Sequence, residues 1–282
     1  MGTGLGLVSS EIAKQRASSI REWPPVRMVS VIFRHRWLLY TLVARDLKLR
    51  YRGSVIGFFW TLLNPLAFMG IYTLVFSTFL RFDIPNYPAF LLSGLIPWLW
   101  FSESVGSGMN SVLYSGGFIK SGIFPSQVLP VASVASAMMN FVFALPLVII
   151  LLAFSHIQLG WSLLALPIVM LLQFAFTLGV VLLLATYNVV LRDLQQLVGH
   201  ALLALFFLTP VFYDWTVVPS RLQAFLQFNP LSVLIISYKY IFYYGQFPKW
   251  DNLGILAIMA AILFCVGSWA FEENREVFAE YL

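Results

Sequence analysis

Residues 55–80 decide the fold class. They read VIGFFWTLLNPLAFMGIYTLVFSTFL and contain no Asp, Glu, Lys or Arg. An α-helix rises about 1.5 Å per residue, so about 20 apolar residues cross the roughly 30 Å hydrocarbon core of a bilayer. A stretch of this length and composition is typical of a transmembrane helix, which makes the chain an integral membrane protein.

The composition of the whole chain favours the same class. Hydrophobic residues make up 60% of the 282 residues and charged residues only 10%, whereas soluble domains carry about 25% charged residues. The single cysteine, Cys265, excludes a disulfide within the chain and a cysteine-based metal site. Residues 1–27 lack an apolar core, so they are not expected to be a cleavable signal peptide.

Five further apolar stretches follow the first, at residues 88–113, 128–154, 161–190, 198–213 and 253–271. The second is interrupted only by Glu103. The six stretches predict an all-α membrane protein with six transmembrane helices within a transmembrane domain at 55–271. Flexible cytoplasmic tails are expected at 1–27 and 272–282.

A basic helix is predicted over residues 28–54, ahead of the first span. One face carries an apolar set at helical spacing, namely Tyr40, Val43, Ala44, Leu47 and Tyr51. Arg45, Lys48 and Arg52 fall together on a neighbouring face. A helix of this pattern is expected to lie in the membrane interface rather than to cross the bilayer.

The segment 214–250 is expected to form two half-helices that enter the membrane and return on the same side. Pro219 and Pro230 are each placed to begin a short helix. Lys239 interrupts the apolar pattern, and a lone Lys at the bilayer centre costs about 2.5–3.5 kcal/mol on insertion scales. Such broken backbone requires protein or a water-filled cavity around it.

The distribution of basic residues predicts the orientation. Residues 1–54 carry ten Lys or Arg, and cytoplasmic segments are enriched in these residues. With six spans, both termini are then cytoplasmic, as are the loops at 114–127 and 191–197, and the segment 214–250 faces outward. A seventh span would instead place the acidic C-terminal tail outside.

Catalytic motifs are missing from the sequence. No G-x-x-x-x-G-K-[ST] stretch could cradle ATP phosphates, and neither H-E-x-x-H nor G-x-S-x-G occurs. His35, His156 and His200 are scattered and favour structural roles. The chain is therefore not expected to be an enzyme or to hold a cofactor or metal, and ATP hydrolysis would require a separate chain.

Four motifs in order carry a family resemblance. They are Arg45–Ser54 continuing to Asn64-Pro65, then Leu92–Trp98, Asn188–Asp193 and Phe228–Leu231. Over about residues 28–275 this series resembles the membrane subunits of type-2 ABC exporters, and within them the permeases for lipid-linked polysaccharide, especially bacterial O-antigen. Teichoic-acid and capsule permeases are neighbours of that group.

The resemblance implies a homodimer of six-span subunits in the bacterial inner membrane, with two ATPase subunits that bind ATP and Mg. The cargo would be a polysaccharide on undecaprenyl pyrophosphate, and no nucleic-acid partner is expected. The outer half-helices would cap the exit. Two other classes stay open: an integral glycosyl- or phosphotransferase, which should show clustered acidic or His residues, and a secondary transporter, which should show repeats and intramembrane charges.

Three sets of candidate site residues follow. The basic cluster is a lipid anchor, a pyrophosphate site or a contact with the ATPase, and comprises Arg45, Lys48, Arg50 and Arg52. The inner loops are expected to couple to the ATPase through Lys120, Arg192 and Asp193, although the last two could merely pair at a helix end. A polysaccharide channel or an interfacial aromatic belt would use Trp98, Trp100, Phe101, Tyr213 and Tyr238. Glu103 is either functional in the channel or hydrogen-bonded within the bundle to a neighbouring hydroxyl.

Overall fold

The computed structural model describes residues 23–116, 125–157, 160–191, 193–275 and 278–281. Helices account for the regular structure of these residues, as the sequence predicts, and no strand occurs among them. We number the helices in chain order: α1 Pro24–Arg34, α2 Arg36–Tyr51, α3 Trp60–Thr73, α4 Tyr87–Gly108, α5 Val128–Phe154, α6 Leu166–Asn188, α7 Leu194–Leu208, α8 Ser220–Phe228, α9 Pro230–Phe242, α10 Trp250–Glu273 and α11 Phe278–Tyr281. A 3-10 turn and a π-helical segment extend α3 to Gly57–Phe79.

Four helical segments of the described chain are long and apolar enough to cross a membrane: Gly57–Phe79, Val128–Phe154, Trp161–Asn188 and Trp250–Glu273. They correspond to the first, third, fourth and sixth predicted spans. The second predicted span is a helix, but it ends at Gly108 rather than 113 and is less apolar. The fifth is helix α7, which is only 15 residues long. The count of six spans therefore stays a prediction.

The surroundings of helix α4 explain why it is less apolar than the other long helices. It packs against α3, α5, α6, α7 and α9, and most of its residues are buried. A helix that is surrounded by protein does not need a lipid-compatible surface, so it tolerates Ser93, Ser104 and Glu103. The side-chain amide of Gln173 on α6 donates to the carbonyl of Pro97 at 2.9 Å, which ties α4 to its neighbour.

The most extensive helix contact is between α6 and α10. Gly179 and Gly267 face each other where the two helices cross, and a side chain at either position would meet the backbone of the other helix. Small residues allow this close approach, which is a common way for membrane helices to gain packing contacts.

The N-terminal basic segment is helical, as predicted, but it is divided at His35 into α1 and α2. Within the predicted apolar face, Val43 packs against the bundle, and the location of this face in the membrane interface stays a prediction. Leu42 is the buried residue of α2 and packs on Val128, Leu129 and Ala132 at the start of α5, whereas Tyr40 is 68% exposed. Helix α2 therefore lies against protein on one side.

Both ends of the described chain meet at one end of the bundle, which we call the terminal end. Arg27 of α1 contacts Glu272 of α10 at 2.9 Å, and the amide of Gln127 donates to the same carboxylate at 3.0 Å. The opposite end, which we call the far end, joins the start of α4 to the end of α5, because the side chain of Asn86 donates to the carbonyl of Ser155.

Two short helices, α8 and α9, occupy the segment for which half-helices are predicted. They begin at Ser220 and Pro230, as the prolines predict, and Asn229 caps α9 by accepting from the N–H of Leu231. Helix α9 runs beside α4, with Ile235 near Gly94 and the Tyr243 hydroxyl donating to the carbonyl of Pro85. Its passage into a membrane and back stays a prediction.

Candidate functional site

An ion pair between Arg50 and Glu103 lies at the centre of the site. Arg50 is at the C-terminal end of α2, where the helix approaches the bundle, and Glu103 lies one to two turns before the end of α4. Asn140 of α5 donates its side-chain N–H to the same carboxylate oxygen at 2.9 Å. Glu103 therefore joins three helices. Its hydrogen-bond partner in the bundle is an amide rather than the expected hydroxyl, and a functional role for Glu103 stays a prediction.

A cavity of about 490 Å³ opens beside this ion pair. We call it the Glu103 cavity. Its walls come from the end of α2 and from helices α3, α4 and α5. They are lined by Arg50, Trp60, Thr61, Asn64, Pro65, Phe68, Ile96, Leu99, Trp100, Ser102, Glu103, Ala137, Asn140, Phe141 and Ala144. The volume lies within the roughly 300–1,000 Å³ that is typical of small-molecule sites.

A stripe on α3 continues from this cavity toward the far end. Trp60, Asn64, Phe68 and Tyr72 recur every four residues, so they lie on one side of the helix. Phe68 and Tyr72 also line a second cavity of about 270 Å³ between α3, α4 and α7, together with Trp98 and others. The two cavities share Phe68, Leu99 and Ser102, so they lie next to each other along α3 and α4, and we call the two cavities together the α3–α4 path.

Aromatic rings dominate the part of the path that lies toward the far end. Phe206 of α7 lies 5.5 Å from Tyr72 and 5.5 Å from Trp98, measured between ring centroids. The ring of Tyr72 in turn lies 6.0 Å from that of Phe68. The i, i+4 repeat of Trp60 through Tyr72 was visible in the sequence, but it was missed because apolar residues occupy every face of α3.

The predicted channel residues fall into two groups. Trp100 and Glu103 line the Glu103 cavity, and Trp98 lines the second cavity. Phe101 and Tyr238 are buried within the subunit instead; Phe101 packs on Phe176, and Tyr238 packs between Phe141 and Phe242. Tyr213 is partly buried near the far end. A role for these last three residues in a channel stays a prediction.

Three residues of the predicted basic cluster, Arg45, Lys48 and Arg52, line one groove on α2, whereas the fourth, Arg50, pairs with Glu103. Arg50 points to Glu103, and Arg45 contacts Asp46 at 3.2 Å. Lys48 and Arg52 are exposed and line two shallow grooves on α2. One groove also contains Phe58 and Phe143, so cationic and apolar groups lie side by side there. This arrangement suits a lipid with an anionic headgroup.

The predicted coupling residues are only partly described. Lys120 and Arg192 lie outside the described residues. Asp193 is exposed and immediately precedes α7. In the same motif, the amide of Asn188 donates to the carbonyl of Met109 at 3.1 Å and to the side chain of Asn110 at 3.0 Å. The end of α6 is thereby joined to the residues after α4.

The contacts of Lys239 at the far end were not predicted from the sequence. Its side chain is almost fully buried, its ammonium lies 3.5 Å from the ring centroid of Phe90 and it donates to the carbonyl of Tyr213 at 3.2 Å. The cation–π contact and the hydrogen bond offset part of the cost of burying the charge. Gly94 leaves the room that the lysine stem occupies.

Asp214 forms a second polar cluster beside Lys239. Its carboxylate accepts from the Tyr244 hydroxyl at 2.5 Å and from the N–H and hydroxyl of Thr216 at 2.9 and 2.8 Å. Burial acts to raise the pKa of Asp214, but these hydrogen bonds and the charge of Lys239 outweigh it and lower the pKa below its ordinary value. The pKa of Tyr244 is raised, first by burial and then by its bond to Asp214.

Metal ligands do not converge in the part of the chain that the structure describes. No group of three His, Cys, Asp or Glu side chains there is placed to hold an ion. The groups that line the α3–α4 path are hydrogen-bonding side chains, aromatic faces and one ion pair.

Comparisons with known proteins identify the family. The model of the ABC-2 type transporter membrane family matches residues 38–243. The O-antigen export system permease protein RfbA of Myxococcus xanthus is 41% identical over 258 residues, which cover 90% of this chain and 99% of the relative. A permease protein RfbA of Klebsiella pneumoniae is 34% identical over 87% of this chain and 95% of the relative. The polysialic acid transport protein KpsM of Escherichia coli is more distant, at 21% identity over 83% of this chain and 92% of the relative. The chain therefore belongs to the ABC-2 type transporter family as a multi-pass membrane subunit.

Proposed function

We propose that this chain is the permease subunit of an ATP-driven exporter of O-antigen. The observation that carries the proposal is the 41% identity to an O-antigen export permease over nearly the full length of both chains. The α3–α4 path supports it, because aromatic faces and neutral hydrogen-bonding groups suit a sugar chain better than an ion or an apolar drug. The KpsM relatives are half as similar, so a capsule or teichoic-acid cargo is the weaker alternative.

The finer features of the exporter belong to the same proposal. A second copy of this chain would close the open side of the α3–α4 path, and Gly57–Phe79, the least buried of the four long apolar segments, would be available for that contact. Two separate ATPase subunits would bind ATP and Mg and dock at the terminal end, which would face the cytoplasm of a bacterial inner membrane. The cargo would carry an undecaprenyl pyrophosphate anchor, and the exposed side chains of Lys48 and Arg52, which share a groove with Arg45, would meet it.

A complementation experiment tests the function. In a strain that lacks its own O-antigen permease but keeps the glycan biosynthesis enzymes, this chain with its cognate ATPase should restore O-antigen at the cell surface, measured with antibody on intact cells. The same plasmid with a hydrolysis-deficient ATPase is the control. Intracellular retention of O-antigen despite normal membrane abundance of both chains would contradict the proposal.

Coupling is tested at Asp193. Because Asp193 is exposed directly before α7, we expect Asp193→Ala to leave assembly intact but to separate ATP hydrolysis from export. Both activities are measured on one reconstituted preparation of the complex. Parallel loss of assembly would indicate a structural role for Asp193, and unchanged export would remove it from the mechanism.

A further inference from the structure

We propose that the Glu103 cavity is a binding subsite for an uncharged sugar unit, and that it does not bind phosphate. The inference rests on the proposed function, since it assigns to this cavity one part of a lipid-linked glycan. It separates the two chemical parts of such a cargo: the sugar is recognised here, and the phosphate elsewhere.

The charge of the cavity is the first argument. Arg50 would be the natural ligand of a phosphate, but its guanidinium contacts the Glu103 carboxylate, and the two charges cancel. None of the other lining residues carries a formal charge. A phosphate entering the cavity would approach Glu103 as a like charge and would have to compete with it for Arg50.

The hydrogen-bonding groups are the second argument. A sugar hydroxyl both donates and accepts, so it is matched by a carboxylate that accepts and by amides that do both. Glu103 and Asn140 stand together on one wall, with 2.9 Å between the amide nitrogen and the carboxylate oxygen, and Asn64 lies on the other wall with its side chain exposed. The walls thus offer polar partners from two directions.

The aromatic lining is the third argument. Trp60 and Phe68 flank Asn64 on the same side of α3, and both are more than 40% exposed. The partly positive C–H groups of a pyranose ring fit against the negative face of an aromatic ring. An exposed amide between two exposed rings, one turn apart on each side, presents a hydrogen bond and two stacking surfaces along a single line.

A binding experiment tests the subsite directly. The full-length chain is purified with its ATPase in nanodiscs of neutral lipid, and the probe is O-polysaccharide of the source strain released from its lipid by mild acid. Binding is measured by saturation-transfer NMR. We expect Asn64→Ala and Trp60→Ala each to weaken binding about fivefold to tenfold, the loss that one hydrogen bond or ring contact produces. Trp161→Ala, an 81% exposed tryptophan at the far end, is the matched control and should bind like the wild type.

Inorganic pyrophosphate provides the second arm. It should not compete with the glycan in the wild type, but it should compete in Glu103→Gln, because that substitution removes the charge that neutralises Arg50. Competition in the wild type, or glycan binding that neither Asn64→Ala nor Trp60→Ala weakens, would overturn the proposal. Surface O-antigen is measured separately with the wild-type chain: its absence contradicts the exporter function, whereas normal export with unaltered glycan binding in both variants contradicts only the subsite.

Discussion

At Gly179 and Gly267, helices α6 and α10 lie so close together that there is no room for a side chain. A Cβ atom at Gly179 would lie 2.6 Å from the carbonyl carbon of Leu263 and 2.6 Å from the backbone nitrogen of Phe264. Both are backbone atoms, which cannot move aside as the end of a flexible side chain can. Gly254 lies on α10, as Gly267 does, and a Cβ atom there would have no neighbour within 4 Å.

This contrast gives a matched pair of substitutions. Gly179→Ala should lower the free energy of unfolding by about 1–3 kcal/mol, because α6 and α10 must move apart. Gly254→Ala should leave stability unchanged or raise it by about 0.5–1 kcal/mol, since alanine is the better helix former. Thermal unfolding of the purified chain, followed by tryptophan fluorescence, measures both. Equal midpoints for the two variants would show that the helices are not in close contact here.

The hydrogen bonds of Asp214 make the stability of the far end depend on pH. Its pKa is lower in the folded protein, so its stabilising contribution is present above the ordinary carboxyl pKa of about 3.9 and is lost as the pH falls through the folded value. We expect the far end to become more accessible to protease as the pH falls below about 4, and Asp214→Asn to show a smaller change on the same acidification. The same pH dependence in both proteins would assign the effect to other carboxylates.

At the scale of helices, Glu272 holds the terminal end together. Its carboxylate contacts Arg27 of α1 at 2.9 Å and Arg275 at 3.3 Å, and it accepts from Gln127, which directly precedes α5. The next residue, Glu273, is exposed. The Glu272 side chain therefore connects α1, the end of α10 and the residue that precedes α5.

The expected effect of Glu272→Gln is a local loosening of α1. Removing the charge weakens hydrogen bonds to two arginines, and such charged hydrogen bonds contribute about 1.5–3 kcal/mol each. Hydrogen exchange should become faster in α1 and at the start of α5, while α6 and α9 keep their protection. Glu273→Gln is the control, and identical exchange in the two variants would argue against this role for Glu272.

At the scale of the whole molecule, the meeting of α1 and α10 at one end has a topological consequence. If the basic N-terminal segment is cytoplasmic, then the C-terminal end of α10 is cytoplasmic too, and the loop after α9 faces outward. In a Cys265→Ala background, a cysteine at Gln246 should react with a membrane-impermeant maleimide in intact cells. A cysteine at Ser9 should react only after permeabilisation; external labelling at Ser9 would contradict the orientation.

The sequence by itself determined the class of the protein, the approximate places of the four long apolar helices, and the start of α9 at Pro230. These features follow from local chemistry. An uncharged stretch of sufficient length needs a bilayer or protein around it, and proline fixes the backbone where a helix begins. The order of four motifs was enough to indicate the family.

Only the tertiary structure decided which faces meet. In a soluble helix, polar residues mark the face toward water, but lipid and protein interior are both apolar, so α3 and α5 carry little periodic signal of what each side contacts. The burial of Tyr238, the packing of Leu42 on α5 and the placing of α3 beside α4 were therefore not readable from spacing. The pairing of Arg50 with Glu103 depends on two helices distant in sequence, and their contact is set by the packing of α2 on α5 and of α5 on α4.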